Sequence, residues 1–281
     1  VLVFAYDGSL HGDWVAHYAV RFAANTPEQR LRVVHVHDGA PEGHLAERLA
    51  RIAAEGKIVG VAVESEVVPG RPGHVAERLR ELVPEGATLV AGTRARPRGG
   101  ALLAGTVSAT LLETALFPVI ALHVAHPGVL GQPGRVLLPL SGRPRPVENA
   151  MPLLRLLAQD LRHLHVLFVR ELSHLRFRLL GTETAERLLS EGRAFLAPIE
   201  DALREAVPRH PFALDSTVVL SDDTPREILL HARRHHARLI CLAASKRTLP
   251  HRLVYGSPVE LVLRSAPADV AIYRTPPRSP A

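Results

Sequence analysis

The chain alternates short apolar, β-branched runs with amphipathic stretches in a fixed order. LVFAY (2–6) leads to the helix-like WVAHYAVRFAAN (14–25), then to LRVVHVH (31–37) and HLAERLARIAAEG (44–56). IVGVAVESEVV (58–68), HVAERLRELV (74–83), ATLVAGT (87–93), TVSATLLETAL (106–116) and PVIALHV (118–124) complete the series. Strands that are apolar throughout and joined by helices of this length predict a parallel sheet, covered on both faces and built with right-handed crossovers.

The same order returns in the second half. RVLLPL (135–140) resembles the first strand, and VLFVRE (166–171) matches VVHVHD (33–38). STVVL (216–220), ARLICLAA (237–244), GSPVELVLRSA (256–266) and DVAIYR (269–274) match the later elements, but at a spacing longer by about 18 residues. The extra residues therefore lie within 172–212, where ETAERLLSEGRAFLAPIEDALREAV reads as a longer helix than its counterpart. AHPGVLGQPG (125–134) reads as a linker. The expected architecture is α/β: two tandem doubly wound domains of five parallel strands, 1–127 and 128–281.

Bulk composition fits that division. A length of 281 residues favours two domains, and 47% hydrophobic residues rule out a disordered chain. No run approaches the ~18 to 20 apolar residues of a membrane span, and VLVFAYDGS lacks the pattern of a secretory signal, so a cytoplasmic protein without membrane contact is expected. Cys241, the single cysteine, sits in LICLAAS and reads as a core residue, which leaves no disulfide framework. Residues 1–127 carry 12 Lys and Arg against 13 Asp and Glu, and residues 128–281 carry 22 against 15. Aromatic residues are only 4%, too few for a nucleic-acid stacking platform, so nucleic acid is not an expected partner.

Ligands of open parallel sheets sit at the carboxyl ends of the strands, where the strand order reverses. Asp7-Gly8-Ser9 follows the first strand there, Gly92-Thr93-Arg94-Ala95 the fourth, and Gly105-Thr106-Val107-Ser108 opens the fourth helix. Unpaired N–H groups and the positive end of the helix dipole make such a start a phosphate cradle, with Thr106 and Ser108 as added donors and Arg94, Arg96 and Arg98 as nearby charge. Taken alone, these residues are more simply explained as an ordinary capped helix.

Asp at the end of strand one, then Gly, two residues, Gly, nine residues and Gly-Ser or Gly-Thr, is the signature of the universal stress protein family, which this chain resembles. Asp7, Gly92, Gly105 and Thr106 fall in register, with Ala95 in place of the middle glycine. The resemblance implies an adenine nucleotide alpha hydrolase-like fold binding ATP, AMP or ADP, with Mg²⁺ as an accompanying ion. Asp7 and the backbone at Val36 would face adenine, and Gly92, Gly105, Thr106, Val107 and Ser108 would surround ribose and phosphates. A Cβ at Ala95 costs about 1 to 2 kcal/mol if the loop needs a positive φ there. In the second copy Ser141, Ala243 and Lys246 stand where the Asp and the two earlier glycines belong, and only Gly256-Ser257 survives. The family also implies pairing of the two domains through their fifth strands, with a homodimer as a further option.

His35 and His37 share a strand face, but no third ligand stands at convincing spacing, so no metal site is expected. HARRHHAR (231–238) reads as the solvated face of the helix begun at REILL. No Walker loop, nucleophile elbow or HExxH motif is present, and no catalytic residue is assigned. Two functions follow: a stress-response nucleotide binder without evident catalysis, or a nucleotide-free pseudo-dimeric scaffold.

Overall fold

The computed structural model describes residues 1–39, 43–93, 106–125, 127, 133–140, 146–206, 211–244 and 258–275. In its first half β1 (Leu2–Ala5), α1 (Leu10–Ala24), β2 (Arg30–His37), α2 (Leu45–Ile58), β3 (Ala62–Pro69), α3 (Val75–Leu82), β4 (Thr88–Gly92), α4 (Val107–Thr114) and β5 (Val119–His123) follow one another. The second half runs β6 (Arg135–Leu140), α5 (Pro146–Leu156), β7 (His163–Glu171), α6 (His174–Arg178), α7 (Thr182–Ala206), β8 (Ala213–Ser221), α8 (Thr224–Arg234), β9 (Leu239–Ala243), α9 (Pro258–Ser265) and β10 (Asp269–Arg274). The expected linker at 125–134 lies mostly outside the described residues.

Local chemistry sets the element ends. The first helix begins at Leu10, ahead of the apolar periodicity that opens at Trp14, because the Ser9 hydroxyl caps it by accepting from the Gly12 N–H at 3.0 Å. The third strand begins at Ala62 and not at Ile58, because Ile58 closes α2 and Gly60 turns the chain at φ +76°. The insertion in the second half consists of α6 and the 25-residue α7, against 14 residues in α2.

Among the described residues ten strands form one sheet in the order β3-β2-β1-β4-β5-β10-β9-β6-β7-β8. Pairing is parallel within each half and antiparallel between β5 and β10, where Val270 lies opposite His123 and Arg274 opposite Val119. Alternate side chains feed two cores that both run across the junction. On one face Leu2, Phe4, Ile120, Tyr273, Leu138 and Val166 pack under α1, α2, α5 and α7; on the other Val3, Leu89, Ala121, Ile272 and Ile240 pack under α3, α4, α8 and α9. Cys241 is fully buried in the first of these cores, and burial pushes its thiol well above the usual range. Among the described residues no helix is long and apolar enough to cross a membrane.

Polar contacts tie the halves together beside the strand junction. The buried Asp269 carboxylate accepts from the Tyr18 hydroxyl at 2.5 Å and from the Ala125 N–H at 2.9 Å. Burial, reinforced by that carboxylate, raises the Tyr18 phenol far above its ordinary value, so it stays a donor. Arg21 pairs with Asp160 at 2.8 Å, and the Gln159 N–H donates to Asn25 Oδ1 at 2.9 Å. Asp269→Ala strands a buried hydroxyl and a half-buried N–H at once. It is expected to lower stability by about 1 to 3 kcal/mol in urea denaturation, whereas alanine at Glu64, whose pair with Arg30 is exposed, should change it far less.

Candidate functional site

In the first half the strand order reverses between β1 and β4, so a crevice opens between their carboxyl ends. Asp7 follows β1 on an exposed turn whose Gly8 has φ +70°. Its Oδ1 accepts from the Ser9 N–H at 3.0 Å and the Ser9 hydroxyl at 2.6 Å, an arrangement that fixes the carboxylate over the start of α1. Gly12 makes room for it, since a Cβ there would fall 2.4 Å from Asp7 Oδ1. His35 supports the turn from below by donating from Nδ1 to the Tyr6 carbonyl at 2.9 Å, while His37 is exposed. That pair is therefore divided between a support under the turn and the solvent.

Gly92 ends β4 beside α1: a Cβ there would lie 3.3 Å from Val15 Cγ2 and 3.4 Å from His11 Nδ1. This glycine thus lets the first helix approach the strand tip, a packing reason that stands beside any ligand. The next residue, Thr93, is 2% exposed, and its hydroxyl has no hydrogen-bond partner among the described residues. Such buried orphans are rare and call for a water, an ion or a ligand. His123, at the end of β5, donates to the Thr93 carbonyl at 3.3 Å and lies 6.5 Å from the His11 ring.

Thr106 caps α4, its Oγ1 accepting from the Ala109 N–H at 3.2 Å. Helix geometry leaves the first-turn N–H groups without intrahelical acceptors, and the chain order β4–α4 puts that turn on the same rim as Gly92. Val107 is 37% exposed, whereas Ser108 is buried, with Oγ 3.2 Å from Thr106 Oγ1. The hydroxyl of Ser108 thus braces the cap. Val36 is buried in β2 in register with Val68, and a Cβ on Gly70 would fall 2.3 Å from its Cγ1.

Ala95, Gly105 and Arg94, Arg96 and Arg98 lie outside the described residues, as do Ser141, Lys246, Gly256 and Ser257 of the second copy. Ala243 ends β9. A cavity of about 440 Å³ beyond β3 is lined by Pro69, Gly70, Arg71, His74, Glu77, Arg78 and Glu81, and none of the expected site residues lines it.

One constellation corrects the sequence reading. In HARRHHAR, taken as a solvated face, His231 is 5% exposed and His235 half-buried, and both pack against His165 of β7. His165 Nδ1 lies 2.6 Å from Asp215 Oδ2 and its Nε2 lies 3.2 Å from His231 Nδ1. His163 approaches the other oxygen of Asp215 at 2.5 Å. Burial holds His165, His231 and His235 below the ordinary histidine value, His231 down to about 4. Burial works against ionisation of Asp215, but the hydrogen bond and charge of His165, with those of His163, outweigh it and keep the carboxyl below its usual range. The signal was present in the sequence: His163 and His165 two apart on a strand, and His231 and His235 four apart on a helix.

A doubly wound α/β unit, duplicated and joined sheet to sheet with a crevice at the reversal point, defines the class of protein. Residues 135–274 match the model of the universal stress protein family, and the chain belongs to that family. The matched half is the one with the less complete glycine register. The fold is similar to that of a universal stress protein from Archaeoglobus fulgidus, 18% identical with a TM-score of 0.63, covering 99% of this chain and 97% of that one. It is also similar to a functionally unknown protein of Pseudomonas aeruginosa, 16% identical, TM-score 0.59, covering 98% and 92%. The cytoplasmic domain of a prokaryotic cation chloride cotransporter shares the architecture at 11% identity and TM-score 0.58, over 97% and 94%. At these identities the likeness establishes fold alone. No curated protein matches the chain.

Burial lowers the pKa of His123, against the Thr93 hydrogen bond and the charge of Asp269, which act the other way. The folded state keeps this ring neutral while the unfolded chain takes up a proton near pH 6.5. Stability is therefore expected to fall as pH drops below that value toward the depressed folded pKa. Urea denaturation of His123→Asn, which retains a donor for Thr93, should give a shallower acid dependence than the parent.

Proposed function

We propose that the protein is a stress-response nucleotide binder whose first half, residues 1–127, holds ATP or the related AMP or ADP. The carrying observation is the gathering, on one rim, of the oriented Asp7 carboxylate, the side-chain-free Gly92 and the Thr106-capped start of α4. The buried Thr93 hydroxyl, without a partner among the described residues, supports it. In this reading Asp7 accepts from the exocyclic amine of adenine beside the Val36 backbone. Gly92 and Gly105 leave room for ribose and phosphates, and the N–H groups of Thr106 and Val107 meet the phosphate charge. Ser108 braces the cap. Mg²⁺ accompanies a triphosphate as its counter-ion, and no group is assigned to hydrolysis.

The second half, 128–281, is read as a domain kept for structure or partners. The nucleotide-free scaffold stands as the alternative, favoured by the β5–β10 junction, which makes the two halves one preassembled pair. Calorimetric titration with ATP and Mg²⁺ separates the two. Saturable binding weakened by Asp7→Ala about tenfold or more supports the nucleotide site, since a charged hydrogen bond is lost. Occupancy at ten times the dissociation constant should add about 1.4 kcal/mol of stability. No thermal shift at millimolar ATP, and no nucleotide released from gently purified protein on denaturation, would leave the scaffold.

A further inference from the structure

The histidine cluster lies at the amino ends of the second half's strands, which the antiparallel β5–β10 pairing puts on the same rim of the sheet as the nucleotide crevice, beyond the junction between the halves. His163 and His165 are the first and third residues of β7, Asp215 is the third of β8, and His231 and His235 fall at the end of α8. Nothing in the nucleotide reading uses these side chains. The first half supplies an internal comparison at the same sheet positions. There Arg32 stands opposite Glu64 in the β2–β3 register, as His165 stands opposite Asp215 in β7–β8. Arg32 pairs with Glu66 at 2.6 Å and reaches the Leu82 carbonyl at the end of α3 at 2.9 Å. In the second half permanently charged guanidinium groups give way to imidazoles, and a second pair of imidazoles comes down from the helix to meet them.

We propose that His165, His231 and His235 form a binding site for a divalent transition-metal ion of the Zn²⁺ type, with Asp215 as the carboxylate that orients His165. One nitrogen from each ring lies within 4.8 Å of the others. Two nitrogens bound at 2.0 to 2.1 Å to a tetrahedral ion stand about 3.3 Å apart, and His165 Nε2 and His231 Nδ1 already lie 3.2 Å apart. His235 stacks on His165 at 3.5 Å between ring centres and is half-buried, so rotation of its ring brings the third nitrogen to the ion. The Asp215 bond to His165 Nδ1 fixes the tautomer with a bare Nε2, the carboxylate–histidine–metal arrangement that holds ligating imidazoles in place. An all-imidazole set selects Zn²⁺, Co²⁺, Ni²⁺ or Cu²⁺ over Mg²⁺ and Ca²⁺, which take oxygen ligands. The fourth position belongs to water or to a carboxylate oxygen. Bound there, the ion ties β7 to α8 in the second half.

The test uses the full chain without a histidine tag, stripped with a chelator and titrated with Zn²⁺ and separately with Co²⁺, whose visible bands report nitrogen ligation. The expected result is one equivalent per chain, Co²⁺ bands that Zn²⁺ abolishes, and affinity about tenfold or more weaker in both His231→Gln and His235→Gln. His163→Gln should stay within about twofold of the parent, because His163 faces Asp215 from outside the trio. Circular dichroism checks that each variant folds, and the more exposed His235 keeps the test available if His231→Gln does not. Absence of a saturable equivalent overturns the proposal. So does loss of binding in His163→Gln with His231→Gln unaffected, which would put the ion at the neighbouring trio of His163, Asp215 and His235.

Discussion

Antiparallel pairing of β5 with β10 is the constraint on which the rest of the molecule depends. Each half taken singly would end in an apolar strand with a row of unpaired backbone donors and acceptors, an arrangement that invites uncontrolled association. Pairing the two strands closes both edges at once and lets each core continue from one half into the other, from Ile120 to Tyr273 on one face and from Ala121 to Ile272 on the other. Asp269 stands at the start of β10 and reaches α1 through Tyr18, so the helix that carries the Ser9 cap is fixed to the same junction.

That connection explains how a site on one rim obtains its order. Ser9 caps α1 and also holds Asp7, Gly12 admits the carboxylate against the helix, and Gly92 admits the helix against β4. Each of these residues serves packing before it serves a ligand. The positions a nucleotide would use are thus ones where a neighbouring side chain lies close against the backbone, and a glycine there answers both demands.

Much of the architecture was legible because strands buried on both faces must be apolar without interruption, and helices covering them must be apolar on one side. Boundaries were less so. The start of α1 depends on a cap at Ser9 that hydrophobic periodicity does not register, and the start of β3 was masked by Ile58 and Val59, which look like strand residues while the helix and its turn use them. At the crevice, Asp7, Gly92 and Thr106 could be named from spacing, but the burial of Thr93 could not, since it arises from packing between elements, nor could the bracing role of Ser108, a local side-chain contact that residue spacing does not register. His231 was misread because its neighbours Arg233 and Arg234 are solvated, and only the packing of α8 on β7 reveals that one stripe of a basic segment faces inward.

The covalent joining of the halves has a consequence beyond stability. In a dimer of identical subunits a two-fold axis copies every substitution, so a change that benefits one subunit is imposed on the other. Here Arg32 and His165 occupy equivalent sheet positions yet are separate codons, free to diverge independently. Broken symmetry of this kind lets a single polypeptide hold two different chemistries in a one-to-one ratio, at a separation set by the width of the sheet.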